Sequence, residues 1–376
     1  MHRATRRAYA STVVLGSGAA ALLLAAGLTA SSPAPLVPLA GSDGLHKLDP
    51  TNTYLGNEGC GGNGCHSGKV EDRGGRKIGD ENKIWSSKDP HAKAFRSLTN
   101  DEGKKIAKAM NITDAATDAK CTVCHATAVP EKQRGPKFAK DLGKEGVTCE
   151  SCHGAAGQWN DPHQKIGWTD EQRKSPGALA KLGMIDTFDL SIRAEMCVSC
   201  HLQIDKAMID AGHPALDFEM YGYNNYKFDS KYNIHWGEHG GPGRRAQLWA
   251  VGQIAGARAA SGGAVSPALA KVYETGKGIV KDKFGSDDMA TIAKAEPDAG
   301  KIKAALEALV ASAGEHAAGK DHEKARQVIT SGVDALVNAT MTGDPPDAYY
   351  DAIDGALKAE GDAWTAAIKK AAGFAK

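Results

Sequence analysis

Hydrophobic and polar positions divide the chain into stretches of different periodicity. From Ser11 to about Ala30 the residues are uncharged and rich in Ala, Leu, Val and Gly. From residue 51 to residue 243 no apolar period persists, because Gly and Pro interrupt almost every run, so short helices joined by long loops are expected. Thr99-Asn-Asp-Glu102 and Thr169-Asp-Glu-Gln172 read there as capping boxes. From Arg244 onward apolar residues recur at helical spacing. Ile302, Leu306, Leu309, Val310 and Ala313 mark one helix, and Val328, Ile329, Leu336 and Val337 a second. Tyr350, Ile353, Leu357, Trp364 and Ile368 extend the pattern past Pro345-Pro346. Strand signals are few, so the fold class expected is mainly α, ending in an Ala-rich helical bundle.

The N-terminal stretch follows Arg3, Arg6 and Arg7 and is followed by small residues before Pro33 and Pro35. That order reads as a secretory signal cut near Ala30. The alternative is an uncleaved single-helix anchor, the one route to a membrane that the sequence offers. No Cys lies in this stretch, which excludes a bacterial lipoprotein anchor. The domains expected are therefore 1–30, a signal peptide; 31–50, a Pro- and Gly-rich linker; 51–243, the domain of short helices; and 244–376, the bundle. Export implies a periplasmic or secreted protein. Losing the three Arg of the signal lowers the net charge from +1 to −2. No basic tract interleaved with aromatics is present, so a nucleic-acid partner is not expected. Aromatics make up only 6% of residues, against 44 Gly. That is thin material for a side-chain core, and a large apolar group is expected to fill the interior.

The cysteines suggest what that group is. All eight fall into pairs, and a His follows the second member each time. Three pairs are C-x-x-C-H: Cys121-Thr-Val-Cys124-His125, Cys149-Glu-Ser-Cys152-His153 and Cys197-Val-Ser-Cys200-His201. The fourth, Cys60-Gly-Gly-Asn-Gly-Cys65-His66, has four intervening residues, three of them Gly, which loop out at little steric cost. Two thiols in one helical turn reach the two vinyl groups on one porphyrin edge, and the next residue presents imidazole to the iron. Disulfides and zinc ribbons do not explain a His after every pair. Four covalently bound haem c groups are therefore expected, with His66, His125, His153 and His201 as proximal iron ligands.

Nine His remain. His91, His163, His213 and His235 are the expected distal ligands, making bis-His irons of low potential. His91 follows Asp89-Pro90, a helix start, with Trp85 as an aromatic wall. His239 reads as a loop residue. His46 reads as a solvated linker residue that could otherwise reach a neighbouring molecule's haem. His316 and His322 are expected to face solvent. Met110, Met184, Met196, Met208 and Met220 are expected to fill core space.

Residues 53–258 resemble the cytochrome c-554 type of tetrahaem electron carriers. The resemblance rests on Trp85 to Ala94, on Cys149-Glu-Ser-Cys152-His153-Gly154, on Gly212-His213-Pro214 with Phe218-Glu219, on His235-Trp236, and on Trp249 to Gln253. The resemblance implies a mainly helical fold with closely stacked haems. It also implies a pairing: His163 with His66, His213 with His125, His91 with His153, and His235 with His201. The haem on His125 is the one that such proteins leave five-coordinate, which His213 argues against here.

The function expected is electron transfer between other redox proteins, since the protein sets ligation and spacing while the iron carries the chemistry. Two alternatives stand beside it. One is an enzyme acting on nitrogen oxides or hydroxylamine at an open iron. The other is a conducting homo-oligomer whose subunits exchange ligands through His46.

Overall fold

The computed structural model describes residues 51–62, 66–67, 71–73, 76–79, 81–165, 177–225, 241–261 and 265–376. Residues 1–50, expected to be signal and linker and including His46, together with Cys65, His235, His239 and the expected Thr169–Gln172 box, lie outside the described residues. Those described are mainly α, as the periodicity implies. Among them no helix is long and apolar enough to cross a membrane.

The first half consists of short elements. α1 (Asn57–Gly61) precedes a small antiparallel hairpin of β1 (Glu71–Arg73) and β2 (Arg76–Ile78). Then come α2 (Glu81–Lys88), α3 (Asp101–Ala109), α4 (Ala119–His125), α5 (Cys149–His153) and α6 (Asn160–Lys165). Their apolar contacts form three small clusters. Tyr54, Val129, Phe138 and Ala155 make one; Leu98, Ala107 and Ala115 another; Ala156, Trp159 and Leu179 the third. The cap of α3 differs from the expected box. Asn100, not Thr99, accepts the Gly103 N–H at 2.8 Å, while the Thr99 hydroxyl donates back to Arg96 O. Asn100 stands directly before the helix at its N-cap, where its side-chain oxygen satisfies the orphan donor.

The second half has longer helices. α7 (Leu190–His201) starts on Asp189, which accepts N–H bonds from Ser191 and Ile192. α8 (Met220–Asn225) follows. α9 (Pro242–Ala260) is buried on nearly every face and forms the axis of the bundle. Around it lie α10 (Pro267–Phe284), α11 (Ala299–Ser312), α12 (Glu323–Thr340), α13 (Asp347–Lys358) and α14 (Gly361–Ala372). Glycines set the close crossings. A Cβ on Gly256 would lie 2.3 Å from the Tyr273 ring, and one on Gly332 would lie 2.6 Å from Trp249 Nε1.

One core unites these helices and crosses residue 244. Leu190, Ala194 and Val198, spaced four apart on α7, join Leu202, Phe218 and Met220 in the cluster that runs through Trp249, Tyr273 and Trp364. The third C-x-x-C-H motif therefore sits on a helix anchored in the bundle. Two apolar assignments in α13 shift. Tyr350 and Leu357 are 51% and 43% exposed, and the buried stripe is Tyr349, Ala352, Ile353 and Ala356. Small Ala side chains complete the inward face, so the large residues flanking it need not point in.

Candidate haem-binding site

Each described motif lies on a short helix or at its end. α4 ends in Cys121 to His125 and starts at Asp118, whose carboxylate accepts the Lys120 N–H at 2.8 Å. α5 is the motif Cys149 to His153 itself, stopped by Gly154 at φ 80°. There a Cβ would meet Gly183 O at 2.2 Å, so only Gly fits. α7 ends in Cys197 to His201. The seven described cysteines form no disulfides. Several of these thiols are pushed above the ordinary range. Bonding to Cys149 and burial raise Cys60, bonding to Cys200 and burial raise Cys124, and burial raises Cys197 to about 11.

The imidazoles come together in pairs. The rings of His66 and His163 are nearly parallel, at 12°, with centroids 6.2 Å apart, and those of His125 and His213 lie 6.3 Å apart at 67°. A metal–nitrogen bond of about 2 Å on each side, plus roughly 1 Å from nitrogen to ring centre, spans about 6 Å. Both separations therefore suit one ion between two imidazoles. His91 stands edge-on to His201 of the fourth motif at 6.0 Å. His235 lies outside the described residues.

Five of these rings have Nδ1 tied down. His66 Nδ1 lies 3.0 Å from Glu81 Oε2, and His91 Nδ1 lies 2.8 Å from Asp89 Oδ1. His125 Nδ1 bonds Ala94 O at 3.0 Å and Ser97 Oγ at 2.8 Å. His163 Nδ1 donates to Asn160 O at 2.6 Å and His213 Nδ1 to Pro214 O at 2.9 Å. Anchoring Nδ1 fixes the tautomer and leaves Nε2 to bind a metal. Burial lowers the pKa of His125 and His163, which keeps them neutral. For His91 burial acts downward as well, but the bond and charge of Asp89 more than reverse it. Asp89 is itself 1% exposed and also caps the His91 N–H at 2.9 Å.

Sequence reasoning missed the carboxylates that assemble this region. Glu150, inside the second C-x-x-C-H motif, accepts N–H bonds from Leu55, Gly56 and Ala156 at 2.8–2.9 Å. Burial raises its pKa despite those donors. Glu145 accepts from Asn57 at 2.8 Å and Ala139 at 2.6 Å. Together they hold the start of α1 against α5, which brings Cys60 to Cys149. The signal available was Glu at a position between two thiols, where nothing in thioether attachment requires a charge. Aromatic walls stand beside the imidazoles. Trp159 is T-shaped on His163 at 5.4 Å, and Tyr223 and Phe218 lie 4.9 and 6.1 Å from His201. Trp85, 7% exposed, donates to Val147 O at 3.0 Å.

The donor set thus fits haem: paired thiols on a turn, anchored imidazoles opposed at metal-binding separation, and aromatic walls. Among the described residues no group of three or more His, Cys, Asp or Glu converges as a bare-metal site. Residues 60–154 match the profile of the family described as cytochrome c554 and c-prime. Cytochrome c-554 of Nitrosomonas europaea is 33% identical over 121 residues, covering 31% of this chain and 49% of that protein. The chain thus spans about half the length of this curated relative. No solved structure matches the chain. The region around the first three motifs is therefore a c-type cytochrome segment of the cytochrome c-554 type.

Proposed function

We propose that the chain is an exported tetrahaem electron carrier with bis-His irons. The observation that carries this reading is the opposition of His66 to His163 and of His125 to His213, at 6.2 and 6.3 Å with Nδ1 anchored throughout. Cys60 and Cys65, Cys121 and Cys124, Cys149 and Cys152, and Cys197 and Cys200 are the attachment pairs. His66, His125, His153 and His201 bind from one side, and His163, His213, His91 and His235 from the other. Haem iron held in this way supplies a one-electron couple. The residues do the rest. Carboxylates and carbonyls orient the imidazoles, and aromatic walls exclude water.

An order of transfer is supported by contacts between motifs. Cys60 lies beside Cys149, Cys152 lies in the field of Cys197, and Cys124 lies beside Cys200. The sites therefore run first, third, fourth, second. Electrons enter from one redox protein and leave to another at the two ends of that row.

A haem count by pyridine haemochrome, joined to electron paramagnetic resonance of the resting protein, tests the proposal. Four haems per chain, all low-spin, are expected. His213→Ala should convert one of them to high spin. A high-spin iron in the unaltered protein would overturn bis-His ligation and favour an enzyme with an open iron.

A further inference from the structure

His316 and His322 lie outside the region matched to the cytochrome family. Both are expected to face solvent; the structure corrects this for His316 and leaves His322 half-buried. His316 is 0% exposed, and neither of its ring nitrogens has a hydrogen-bond partner. Nδ1 of His322 is likewise buried and unpartnered. Orphaned buried imidazole nitrogens are rare and unfavourable, because each has lost water without gaining a partner. The two rings lie with centroids 6.2 Å apart and planes tilted by 45°, the same separation as His66 and His163.

The turn between them is pinned. Gly361 N–H donates to Ala317 O at 2.6 Å, and the buried Arg326 guanidinium donates to Ala317 O and Gly319 O at 3.4 and 3.2 Å. The carboxylates nearby are already engaged. Glu315 pairs with Lys271 at 2.8 Å and Glu360 with Arg326 at 3.5 Å.

We propose that His316 and His322 form a two-coordinate site for monovalent copper. The choice of ion follows from what surrounds the pair. Zinc needs about four ligands, and no third His, Cys, Asp or Glu converges with these two among the described residues. Imidazole suits copper. Cu(I), with a filled d shell and a single charge, accepts two nitrogens in line. With a bond of about 2 Å to each nitrogen, that arrangement spans roughly the separation observed. A single positive charge also needs no carboxylate to balance it.

The test uses the haem-loaded full chain, dialysed anaerobically against the Cu(I)–acetonitrile complex, with bound copper measured by mass spectrometry. The unaltered protein should retain one more copper per chain than either His316→Ala or His322→Ala, a drop of at least tenfold at this site. Its X-ray absorption edge should show the intense low-energy peak of linear two-nitrogen Cu(I). His322 sits on the half-exposed turn Lys320–His322, so its variant tests the site with the helices intact, as circular dichroism will verify. Equal copper in all three proteins, or none in the unaltered one, would overturn the proposal. In the second case a buried water bridging the two rings is the better explanation.

Discussion

Residues 51–165 and residues 241–376 are both helical, yet they are held together by different means. The first region has three apolar clusters of three or four buried residues each. The second contributes most of a single continuous core, from Ala246 to Ala371. Fixing a residue's backbone costs about 1–2 kcal/mol, while a fully buried apolar side chain returns roughly 1.5–3 kcal/mol. Clusters that small cannot hold so many residues alone. The first region relies on side-chain-to-backbone bonds, such as those of Glu145, Glu150 and Asn52, and on whatever fills the space between its opposed imidazoles. The difference teaches that a stretch with poor apolar periodicity here is not disordered sequence but sequence that folds around a guest.

The largest expected effect breaks the two regions apart. Expressed without haem attachment, the chain should lose structure over residues 51–165 and retain it over 241–376. Hydrogen exchange should find the first region near unprotected rates and α9, α10 and α12 strongly protected. Equal protection in both would refute the comparison.

Single residues should separate the regions next. Glu150→Ala strands three N–H donors, two of them buried, and should destabilise the haem-motif region by about 3–5 kcal/mol. Trp364→Ala removes a fully buried ring, and its bond to Thr330 Oγ1 at 3.1 Å, from the bundle. It should cost a similar 3–5 kcal/mol there. Denaturant melts followed by haem absorbance and by far-ultraviolet circular dichroism distinguish the two. Glu150→Ala should move the absorbance transition first, and Trp364→Ala the helical one.

These contrasts also explain what was legible beforehand. The thiol pairs and the α11 and α12 stripes could be read directly, because attachment chemistry and the helical period leave residue-level marks. Tyr349 was not, because Ala352 and Ala356 carry its face and Ala is nearly neutral in an apolar count. His316 was not, because a polar-looking segment hides a turn folded inward beside Arg326. The joining of α7 to the bundle was not, because Leu190, Ala194 and Val198 share their helix with a motif that draws attention to its cysteines.

A mid-sized effect concerns the seam between the regions. Glu219 on the α8 side accepts from Gly222 N–H and, at 2.7 Å, from the Ser331 hydroxyl of α12, while its Oε1 is buried without a partner. Burial pushes its pKa from 4.5 up to about 7. An acid with a raised folded-state pKa binds protons more tightly when folded, so its contribution to stability falls as pH rises from about 4.5 to about 7 and is constant beyond. The loss is on the order of 3 kcal/mol across that window. Glu219→Gln should abolish it, so that the variant gains on the unaltered protein as pH increases, measured by urea midpoints at pH 5 and pH 8. A difference that does not grow with pH would sink the assignment.

The smallest effect tests whether proximity of charge matters at all outside the seam. Lys206 and Asp210 approach to 2.5 Å, closer than Arg258 and Glu195 at 2.8 Å. Yet the first pair is 82% and 60% exposed, so water already solvates both charges. Lys206→Ala should change stability by less than about 0.5 kcal/mol. Glu195 is 12% exposed on α7, burial raises its pKa, and Arg258 reaches it from α9. Removing Arg258 leaves that carboxylate poorly solvated and unpaired, so Arg258→Ala should cost about 1–2 kcal/mol despite the longer contact. If the two variants melt alike, exposure is not what ranks these pairs.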